Sequence, residues 1–489
     1  MPPTLALLLW FVLLLGLLYL DPAKKPGNSL ALWVPLTWMF FVGTRLPSQW
    51  FGGQVGSLTE AYVEGNPLNR NIFLGLTVVA LVILISRSFR WDSFFTQNLA
   101  LMAFLFFALA SVFWSDFPLI TIKRWFRDLG GYMAILVVLS DPNPLEGVRT
   151  LLRRFSYLVI PLSVVLVKYY PGIGIQYDAW TGLQMYTGAT MNKNSLGVAC
   201  LVSGIFFFWD LVMRWPHRAD RQTRRILLVD AAFIWMTLWL MNCAHSATSN
   251  VCLAIGSLVI LLTASKMFRR HPTFFKLLIP TSFCLYLILA YWFNANAYLV
   301  GAVGRNPTLT DRTLIWRTLL NIGTNPVVGT GYRSFFLGER LQKFWLTHPG
   351  INEAHNGYLD IYLSLGMVGV VLLLVFLVAG YRTIWKRLKS FPPLASLGLA
   401  IWTLMVFYNI TEAAFDNGLL WLSLMLLGIA VPGLSAERAR NLAPSEIAGM
   451  RKQLPKFISE PAGLPNRHTF DRPSLDMHSI PARNLLKKI

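Results

Sequence analysis

Apolar stretches of roughly membrane-spanning length alternate with polar segments along most of the chain. A transmembrane helix needs about 20 mostly apolar residues. The pattern predicts thirteen spans, several of which take residues from their neighbours at the ends: 4–20, 29–43, 71–86, 98–113, 128–140, 156–170, 196–213, 226–241, 248–263, 275–293, 361–379, 394–410 and 417–434. We therefore expect an all-α polytopic membrane protein with about 12–13 transmembrane helices.

The composition agrees with this pattern. Of the 489 residues, 55% are hydrophobic and 13% are charged, and the charged share is about half that of a globular protein. These values exclude a soluble enzyme, a disordered chain and a disulfide scaffold. The 18 Trp, 33 Phe and 16 Tyr suit helix ends at membrane interfaces. The four cysteines form no CxxC pair and no zinc spacing, so neither a metal nor a cofactor is expected.

The excess of 43 Lys and Arg over 23 Asp and Glu would suggest nucleic-acid binding in a soluble protein. Membrane topology explains the excess better, because Lys and Arg concentrate in cytoplasmic loops. With the N-terminus outside, the short inside loops hold 20 basic residues, the short outside loops hold 7, and the tail adds 10 inside. We therefore expect an external N-terminus, a cytoplasmic C-terminus and no nucleic-acid partner. The first span lacks a preceding positive charge and is followed by Lys24 and Lys25, which favours a retained anchor over a cleaved signal peptide.

This topology divides the chain into four parts. They are an N-terminal bundle of about ten spans (1–293), a large outside loop carrying short helices (294–360), three C-terminal spans (361–434) and a basic, mobile cytoplasmic tail (435–489). No internal repeat is visible, and the spans carry almost no ionisable groups. Both features disfavour an ion-coupled transporter.

The large outside loop contains an amphipathic segment. Thr308 and Thr310 are favourable N-caps, and the apolar residues after them recur at helical spacing. The spacing predicts a short helix on which Arg312 and Trp316 share one face. Either this helix is an ordinary interfacial anchor or its arginine belongs to a site.

The same loop ends in a histidine at the predicted membrane edge. His355 and Asn356 directly precede the span 361–379. An imidazole can act as a general base there, because its ordinary pKa is about 6.5. The alternative is a structural histidine.

Further polar residues are predicted on the same side of the membrane. They are Lys123, Arg124 and Arg127 in one outside loop, Asn192, Lys193 and Asn194 at the start of a span, and Glu412 between two outer half-loops. The positive-inside rule disfavours the basic group, so it is an anion site, a set of snorkelling side chains or a sign that the topology is set wrongly here. A helix N-terminus after the asparagines would also favour anions. Together these residues suit a phosphate-bearing lipid substrate, and no P-loop, DxD pair or GxSxG motif accompanies them.

At these residues the sequence resembles the O-antigen ligase/polymerase superfamily of bacterial membrane glycosyltransferases, which includes exopolysaccharide polymerases. The resemblance covers about 110–415, with three spans after the large loop. It rests on an ordered set of segments: SVFWSDFPLITIKRWFR (111–127), MNKNSLG (191–197), AHSATSN (244–250), TDRTLIWRTLLNIGTNPVVGTGYRSF (310–335), AHNGYLDIYLSLGMVG (354–369) and NITEAAF (409–415). The chain departs from the family at His245–Thr248, where members more often carry Ser-Arg-Gly, so a role for that segment is left open.

The resemblance implies an enzyme of the bacterial inner membrane that acts at the periplasmic face. The expected reaction is inverting and metal-independent: a glycan moves from undecaprenyl diphosphate to a hydroxyl of a glycan or lipid A-core acceptor. Arg312 is expected to stabilise the diphosphate, and His355 to orient or deprotonate the acceptor. The expected substrate-binding residues are Lys123, Arg124, Arg127, Asn192, Lys193, Asn194, Arg305, Asn356 and Glu412. Trp316, Gly329 and Gly331 are expected to be structural.

The sequence leaves several functions open. The shared motifs do not separate a polymerase from an O-antigen ligase, although the breadth of the superfamily slightly favours a polymerase. A transporter of lipid-linked oligosaccharide is the alternative from another class, and a structural membrane partner is a third. Membrane lipid and other polysaccharide-assembly proteins are the remaining expected partners.

Overall fold

The computed structural model of the chain describes residues 1–20, 29–52, 65–177, 182–292, 312–388, 391–416 and 418–431. The predicted N-caps Thr308 and Thr310, the residues Lys24, Lys25 and Arg305, and the tail 435–489 lie outside the described residues. The described part falls within one compact unit, Met1–Leu442.

Helices make up most of the described residues before position 178, which also include one short strand. Its helices are α1 (Pro3–Leu20), α2 (Trp33–Gly43), α3 (Pro47–Trp50), α4 (Pro67–Ser86), α5 (Trp91–Gln97), α6 (Leu99–Ala110), α7 (Pro118–Leu139), α8 (Pro144–Tyr169) and α9 (Pro171–Gly174). The strand β1 (Ile175–Tyr177) pairs antiparallel with β2 (Gln184–Tyr186). Proline occupies the first turn of α7 and α8, where its fixed φ favours helix initiation and its missing N–H costs nothing.

Helices also make up most of the chain after β2. They are α10 (Lys193–Arg214), α11 (Arg221–Ala244), α12 (Ala247–Ala264), α13 (Lys266–Arg270), α14 (Pro272–Trp292), α15 (Arg312–Asn321), α16 (Gly338–Trp345), α17 (Gly357–Arg387), α18 (Pro392–Tyr408) and α19 (Leu419–Gly428). The short helices α15 and α16 lie in the large loop, as the sequence predicts. α15 begins with Arg312, and its Ile315 and Leu319 are buried on one side.

The architecture confirms an all-α polytopic membrane protein. Among the described residues, six helices are long and apolar enough to cross a membrane, and the bent pair α5–α6 makes a seventh if it forms one span. Five shorter apolar helices accompany them. Each of the thirteen predicted segments overlaps one of these helices or α7. α7 differs from the apolar helices in its composition, because its first half contains four charged residues.

Helix position in the bundle follows from how much of each apolar surface other helices cover. The most apolar windows of α8 and α10 are 78% and 72% buried, whereas that of α4 is only 17% buried. A helix that is apolar all round and buried belongs to the centre. α8 and α10 therefore form the core of the bundle, and α4 exposes its side chains to lipid.

A buried ion pair joins the two central helices. Arg153 of α8 bonds to Asp210 of α10, which also accepts from Arg214 at 2.9 Å. Asp230 of α11 is buried too, and both of its carboxylate oxygens lack a hydrogen-bond partner among the described residues. The spans therefore hold more ionisable groups than the sequence pattern indicates.

α17 is broken near its start, and the break positions the large loop. Gly366 has φ 64°, outside the helical region. The break frees backbone groups, so Gly331 N–H donates to Ser364 O at 2.9 Å and Met367 N–H donates to Pro326 O at 2.9 Å. A Cβ on Gly329 would lie 2.4 Å from Ser364 C. Close backbone contact with α17 therefore explains Gly329, whereas a Cβ on Gly331 (φ 105°) would lie 2.5 Å from Ser115 Cβ.

Candidate functional site

Charged side chains from three separate regions, and the amide of Asn194 from a fourth, meet at one end of the bundle around Glu412. Glu412 is nearly fully buried, in the segment 409–416 between α18 and α19. Its Oε1 accepts from Arg312 Nη2 at 2.6 Å, and its Oε2 accepts from Asn194 Nδ2 at 3.1 Å. His355 Nδ1 lies 3.4 Å from the same Oε2. We call Asn194, Arg312, Glu353, His355 and Glu412 the Glu412 cluster.

His355 lies between two carboxylates. Its Nδ1 is 2.9 Å from Glu353 Oε1 and 3.4 Å from Glu412 Oε2. Burial favours the neutral ring, but the two carboxylates, Glu353 first, outweigh burial and raise the pKa of His355 to about 10. At neutral pH the ring is therefore an imidazolium with a positive charge.

Glu412 is ionised for a corresponding reason. Its burial alone would raise the pKa of the carboxyl group. The contact with His355 and the charge of Arg312 outweigh burial and hold the pKa of Glu412 below its usual range. Two cations and two carboxylates thus balance one another in the cluster.

Local backbone contacts fix the histidine and the glutamate relative to each other. Gly357 N–H donates to the carbonyl oxygens of both Asn409 and Glu412, each at 3.0 Å. A Cβ on Gly357 would lie 2.0 Å from Asn409 Oδ1, so the approach requires glycine. Trp316 Nε1 donates to Ala354 O at 2.9 Å, next to the histidine. Trp316 therefore connects α15 to His355, in agreement with its predicted structural role.

A second charged group surrounds Asp128 of α7, which is almost fully buried. Arg333 Nη1 lies 2.9 Å from Asp128 Oδ2, and Arg333 Nη2 lies 3.5 Å from Asp416 Oδ2. Tyr332 donates its hydroxyl to Asp128 at 2.8 Å, and Arg127 pairs with Asp128 at 3.2 Å. We call these five residues the Asp128 cluster. Asp416 follows Glu412 by four residues, so the segment 409–416 contributes a carboxylate to each cluster.

Backbone strain coincides with the two clusters. Among the described residues, four non-glycine residues have positive φ, and His355 (50°) and Arg333 (55°) are two of them. A left-handed conformation is costly for such side chains and is concentrated at functional sites. The left-handed conformation at one residue of each cluster supports a functional role for both clusters.

The structure brings some of the predicted site residues together and leaves others apart. It brings Arg312, His355, Asn194 and Glu412 into direct contact, and Arg127 into the Asp128 cluster. Arg124 donates to the carbonyl oxygen of Arg333. The prediction that Lys123, Arg124 and Arg127 lie in an outside loop is wrong, because α7 begins at Pro118 and includes all three.

Four other predicted site residues belong to neither cluster. Lys123 is exposed on α7, and Lys193 is half-buried in the first turn of α10. Asn192 and Asn356 cap helices: their side chains accept from Ser195 N–H at 2.8 Å and Leu359 N–H at 3.1 Å. Their side-chain oxygens are therefore engaged by the backbone. Arg305 is outside the described residues, and its assignment stays a prediction.

Sequence reasoning missed Asp128, Arg333, Glu353 and Asp416. A usable signal existed, since only 23 acidic residues occur in the chain and few lie near the predicted outer face. Asp128 directly follows Arg127, and Glu353 precedes His355 by two positions. An acidic residue beside a basic residue in an otherwise apolar chain indicates a pair whose charges are satisfied internally.

The Glu412 cluster contains donor atoms that suit a metal. Glu353, His355 and Glu412 each offer one ligand atom, and these atoms all lie within 4.8 Å of one another. Arg312, however, places a fixed positive charge 2.6 Å from Glu412 Oε1, which opposes a further cation at this carboxylate. The cluster presents two cationic side chains, Arg312 and protonated His355, that suit an anionic ligand better.

The segment 244–250, which departs from the family pattern, lies beside the site. Thr248 Oγ1 shares a 2.9 Å hydrogen bond with Thr411 Oγ1, next to Glu412. Ser246 donates to Ser249 at 3.0 Å. Through the contact between Thr248 and Thr411, residues 244–250 pack against the segment 409–416, which carries Glu412.

Fold and site together define a polytopic membrane protein with a charged site at one end of its helix bundle. Residues 189–374 match the family described as Wzy_C, O-antigen ligase. The chain is also 25% identical over 323 residues to the exopolysaccharide production protein ExoQ of Rhizobium meliloti (strain 1021), covering 60% of this chain and 67% of that protein. Both similarities support the resemblance to the O-antigen ligase/polymerase superfamily seen in the sequence. Its members are glycosyltransferase-like ligases and polymerases that use a lipid-linked glycan donor and a polysaccharide acceptor.

Proposed function

We propose that this chain transfers a glycan from undecaprenyl diphosphate to a sugar hydroxyl at the periplasmic face of the bacterial inner membrane. The observation that carries the proposal is the convergence of Arg312, His355 and Asn194 on the buried carboxylate of Glu412. These residues come from three different parts of the chain and meet at one end of an apolar bundle. A lipid-linked substrate requires such a charged site beside lipid.

The donor's leaving group explains the two cations. When the bond between the sugar carbon C1 and the phosphate oxygen breaks, the diphosphate keeps the electron pair and gains negative charge. An arginine fork suits this charge, and cations that are already in position stabilise it most effectively. Arg312 is held by Glu412, and His355 is protonated at neutral pH. When the donor binds, its diphosphate would replace Glu412 as the partner of the Arg312 guanidinium. This arrangement requires no metal ion.

The Asp128 cluster supports a second contact region for the substrate. Arg127 is 42% exposed although it pairs with Asp128, and Lys123 is exposed on the same helix. These side chains are free to face an anionic lipid headgroup or the second phosphate of the donor. We assign Lys123, Arg124, Arg127 and Lys193 this outer binding role.

Polymerisation is the form of the reaction that we favour. The similar protein from Rhizobium meliloti is described as an exopolysaccharide production protein. Exopolysaccharide growth joins one lipid-linked glycan to another, whereas ligation uses lipid A-core as the acceptor. We expect other polysaccharide-assembly proteins to deliver the donor.

The transfer is expected to be inverting, with direct attack of the acceptor hydroxyl on C1. The cationic pair replaces a Lewis acid, so the reaction should proceed in EDTA. The anomeric configuration of the new linkage, determined by NMR, tests inversion. Retained configuration, or activity that disappears in EDTA and returns with Mn²⁺ or Mg²⁺, would contradict these two parts of the proposal.

The proposed orientation has its own test. Lys193→Cys at the start of α10 should react with a membrane-impermeant maleimide in intact spheroplasts, and Arg221→Cys at the start of α11 should react only after permeabilisation. α10 separates these two positions, so they lie on opposite sides of the membrane. Labelling of position 221 in intact spheroplasts would reverse the sidedness.

The decisive test of the activity uses purified protein in proteoliposomes. The probe is the undecaprenyl-diphosphate-linked glycan extracted from a strain that lacks the gene. Wild-type protein should lengthen the glycan, whereas a ligase would leave its length unchanged and transfer it to lipid A-core only when that acceptor is added. Movement of unchanged glycan across the bilayer would instead support the transporter.

A further inference from the structure

The charge of His355 leaves the proposed reaction without a proton acceptor. The acceptor hydroxyl must lose its proton as its oxygen bonds to C1. A general base has to hold a free electron pair near that oxygen. His355 Nδ1 lies between Glu353 and Glu412 at 2.9 and 3.4 Å. Two carboxylates at this nitrogen favour the imidazolium, which has no free electron pair to accept a proton.

Three other carboxyl groups lie near His355 or Glu353, and each is engaged by a hydrogen bond or an ion pair. Glu412 is only 5% exposed, and both of its oxygens accept from Arg312 or Asn194. Asp360 Oδ1 accepts from Ala354 N–H at 2.9 Å. Asp416 pairs with Arg333 in the Asp128 cluster. Each of these groups serves to hold the site together.

Glu353 differs from the other three. Its side chain is 44% exposed, and its contact with the cluster is made by Oε1, 2.9 Å from His355 Nδ1. Within the described residues, Oε2 makes no hydrogen bond or ion pair. Glu353 therefore combines contact with the cationic site and an oxygen that an acceptor sugar can reach.

We propose that Glu353 is the general base of the transfer, a role that rests on the proposed function. As the acceptor oxygen bonds to C1, its proton passes to Glu353 Oε2. The bond between C1 and the phosphate oxygen breaks, and the diphosphate leaves with that electron pair beside Arg312 and His355. His355 keeps its proton throughout and acts as a cation that positions Glu353 and stabilises the leaving group.

The charges around Glu353 agree with Glu353 acting as the base and His355 acting as a cation. The described cationic groups facing the cluster are His355 on the same segment and Arg312 on α15, and the other acidic side chains near Glu353 are Glu412, Asp360 and Asp416. Removal of the base should lower turnover about 10²- to 10⁴-fold. Donor binding depends mainly on Arg312 and His355, so KM for the donor should change little.

The test compares wild type, Glu353→Gln, Glu353→Asp and Glu339→Gln in the proteoliposome assay, with the extracted lipid-linked glycan as the probe. Glu339 is an exposed glutamate at the start of α16 in the same large loop, and it serves as the matched control. We expect Glu353→Gln to lose at least 100-fold in kcat, to keep KM within about threefold, and to lose the acid limb of the pH–kcat profile. Glu353→Asp should retain part of the activity, and Glu339→Gln should match wild type.

The outcomes separate this inference from the proposed function. If wild type elongates the glycan and Glu353→Gln does so at the wild-type rate, Glu353 is not the base although the chain is a transferase. A defect in KM alone would reduce Glu353 to a binding residue. Activity that requires a divalent cation in wild type and no longer responds to it in Glu353→Gln would make Glu353 a metal ligand. Absence of elongation by wild type would contradict the proposed function itself.

Discussion

Glu412 accepts a 2.6 Å hydrogen bond from Arg312, a residue 100 positions earlier in the chain. The same carboxylate faces His355 with its other oxygen. One buried side chain therefore holds both cations that we assign to the leaving group. Its loss should therefore disturb the geometry of the site.

Glu412→Gln should lower transfer about 100-fold, because an amide cannot hold two cations and small displacements of reacting groups are costly. Transfer by purified variants in proteoliposomes is the measurement. Thr411→Ser, which keeps the neighbouring hydroxyl, is the control and should stay close to wild type. Near-normal transfer by Glu412→Gln would show that the carboxylate does not organise the site.

The pKa of His355 predicts a pH-dependent contribution to stability. The pKa rises from about 6.5 in the unfolded chain to about 10 in the fold. A raised pKa stabilises the fold fully below the unfolded value, and this contribution is lost as pH rises towards the folded value. The melting temperature of wild type should thus exceed that of His355→Gln most at pH 6.5. The difference should shrink steadily up to pH 10, and a difference that grows over this range would contradict the raised pKa.

The contact of the large loop with broken α17 predicts a contrast between two glycines of similar φ. Gly329 (φ 68°) meets the backbone of Ser364, whereas Gly323 (φ 70°) has open space around it. Alanine at either position costs about 1–2 kcal/mol of backbone strain. At 329 it also forces a clash that adds about 1–3 kcal/mol. Thermal unfolding in detergent should show a clearly larger loss for Gly329→Ala, and equal losses would contradict the packing argument.

Arg333 should stabilise the fold mainly through Asp128. Removing one partner of a buried ion pair costs about 3–5 kcal/mol, and the remaining Arg127 contact should keep the loss for Arg333→Ala near or below about 3 kcal/mol. Asp128→Asn combined with Arg333→Met should recover stability, because the charges that lose a partner, Arg127 and Asp416, are 42% and 51% exposed and no buried charge is left unpaired. A double variant that unfolds as early as Arg333→Ala would show that the pair is not the source of the loss.

The sequence predicts the helices well and the site only partly, for a physical reason. Apolar runs mark helices directly, so each predicted span overlaps an apolar helix or α7, and the amphipathic spacing after Thr310 predicts α15. Arg312, His355 and Glu412 carry the resemblance to the family, and they meet in the fold. The partners of the cations are less visible: Arg333 and Asp128 are 205 positions apart. Such a pair depends on how helices pack, and no local pattern encodes it.

The charged start of α7 shows the same limit. Four charged residues in one helix argue against a membrane span, so the sequence pattern places them in a loop. In the fold, Asp128 is neutralised by Arg333 and Arg127, which allows the helix to continue through the charged stretch. A tertiary contact thus overrides the local signal.

Two arginines of α15 test whether the Glu412 cluster is the transfer site. A strain that lacks the gene is complemented with wild type, Arg312→Ala or Arg317→Ala at matched protein levels, and surface glycan is separated by gel. Arg312 pairs with Glu412, whereas Arg317 is exposed on the same helix. The account predicts that Arg312→Ala loses long polymer and that Arg317→Ala restores it. Normal polymer with Arg312→Ala would contradict the assignment of the site.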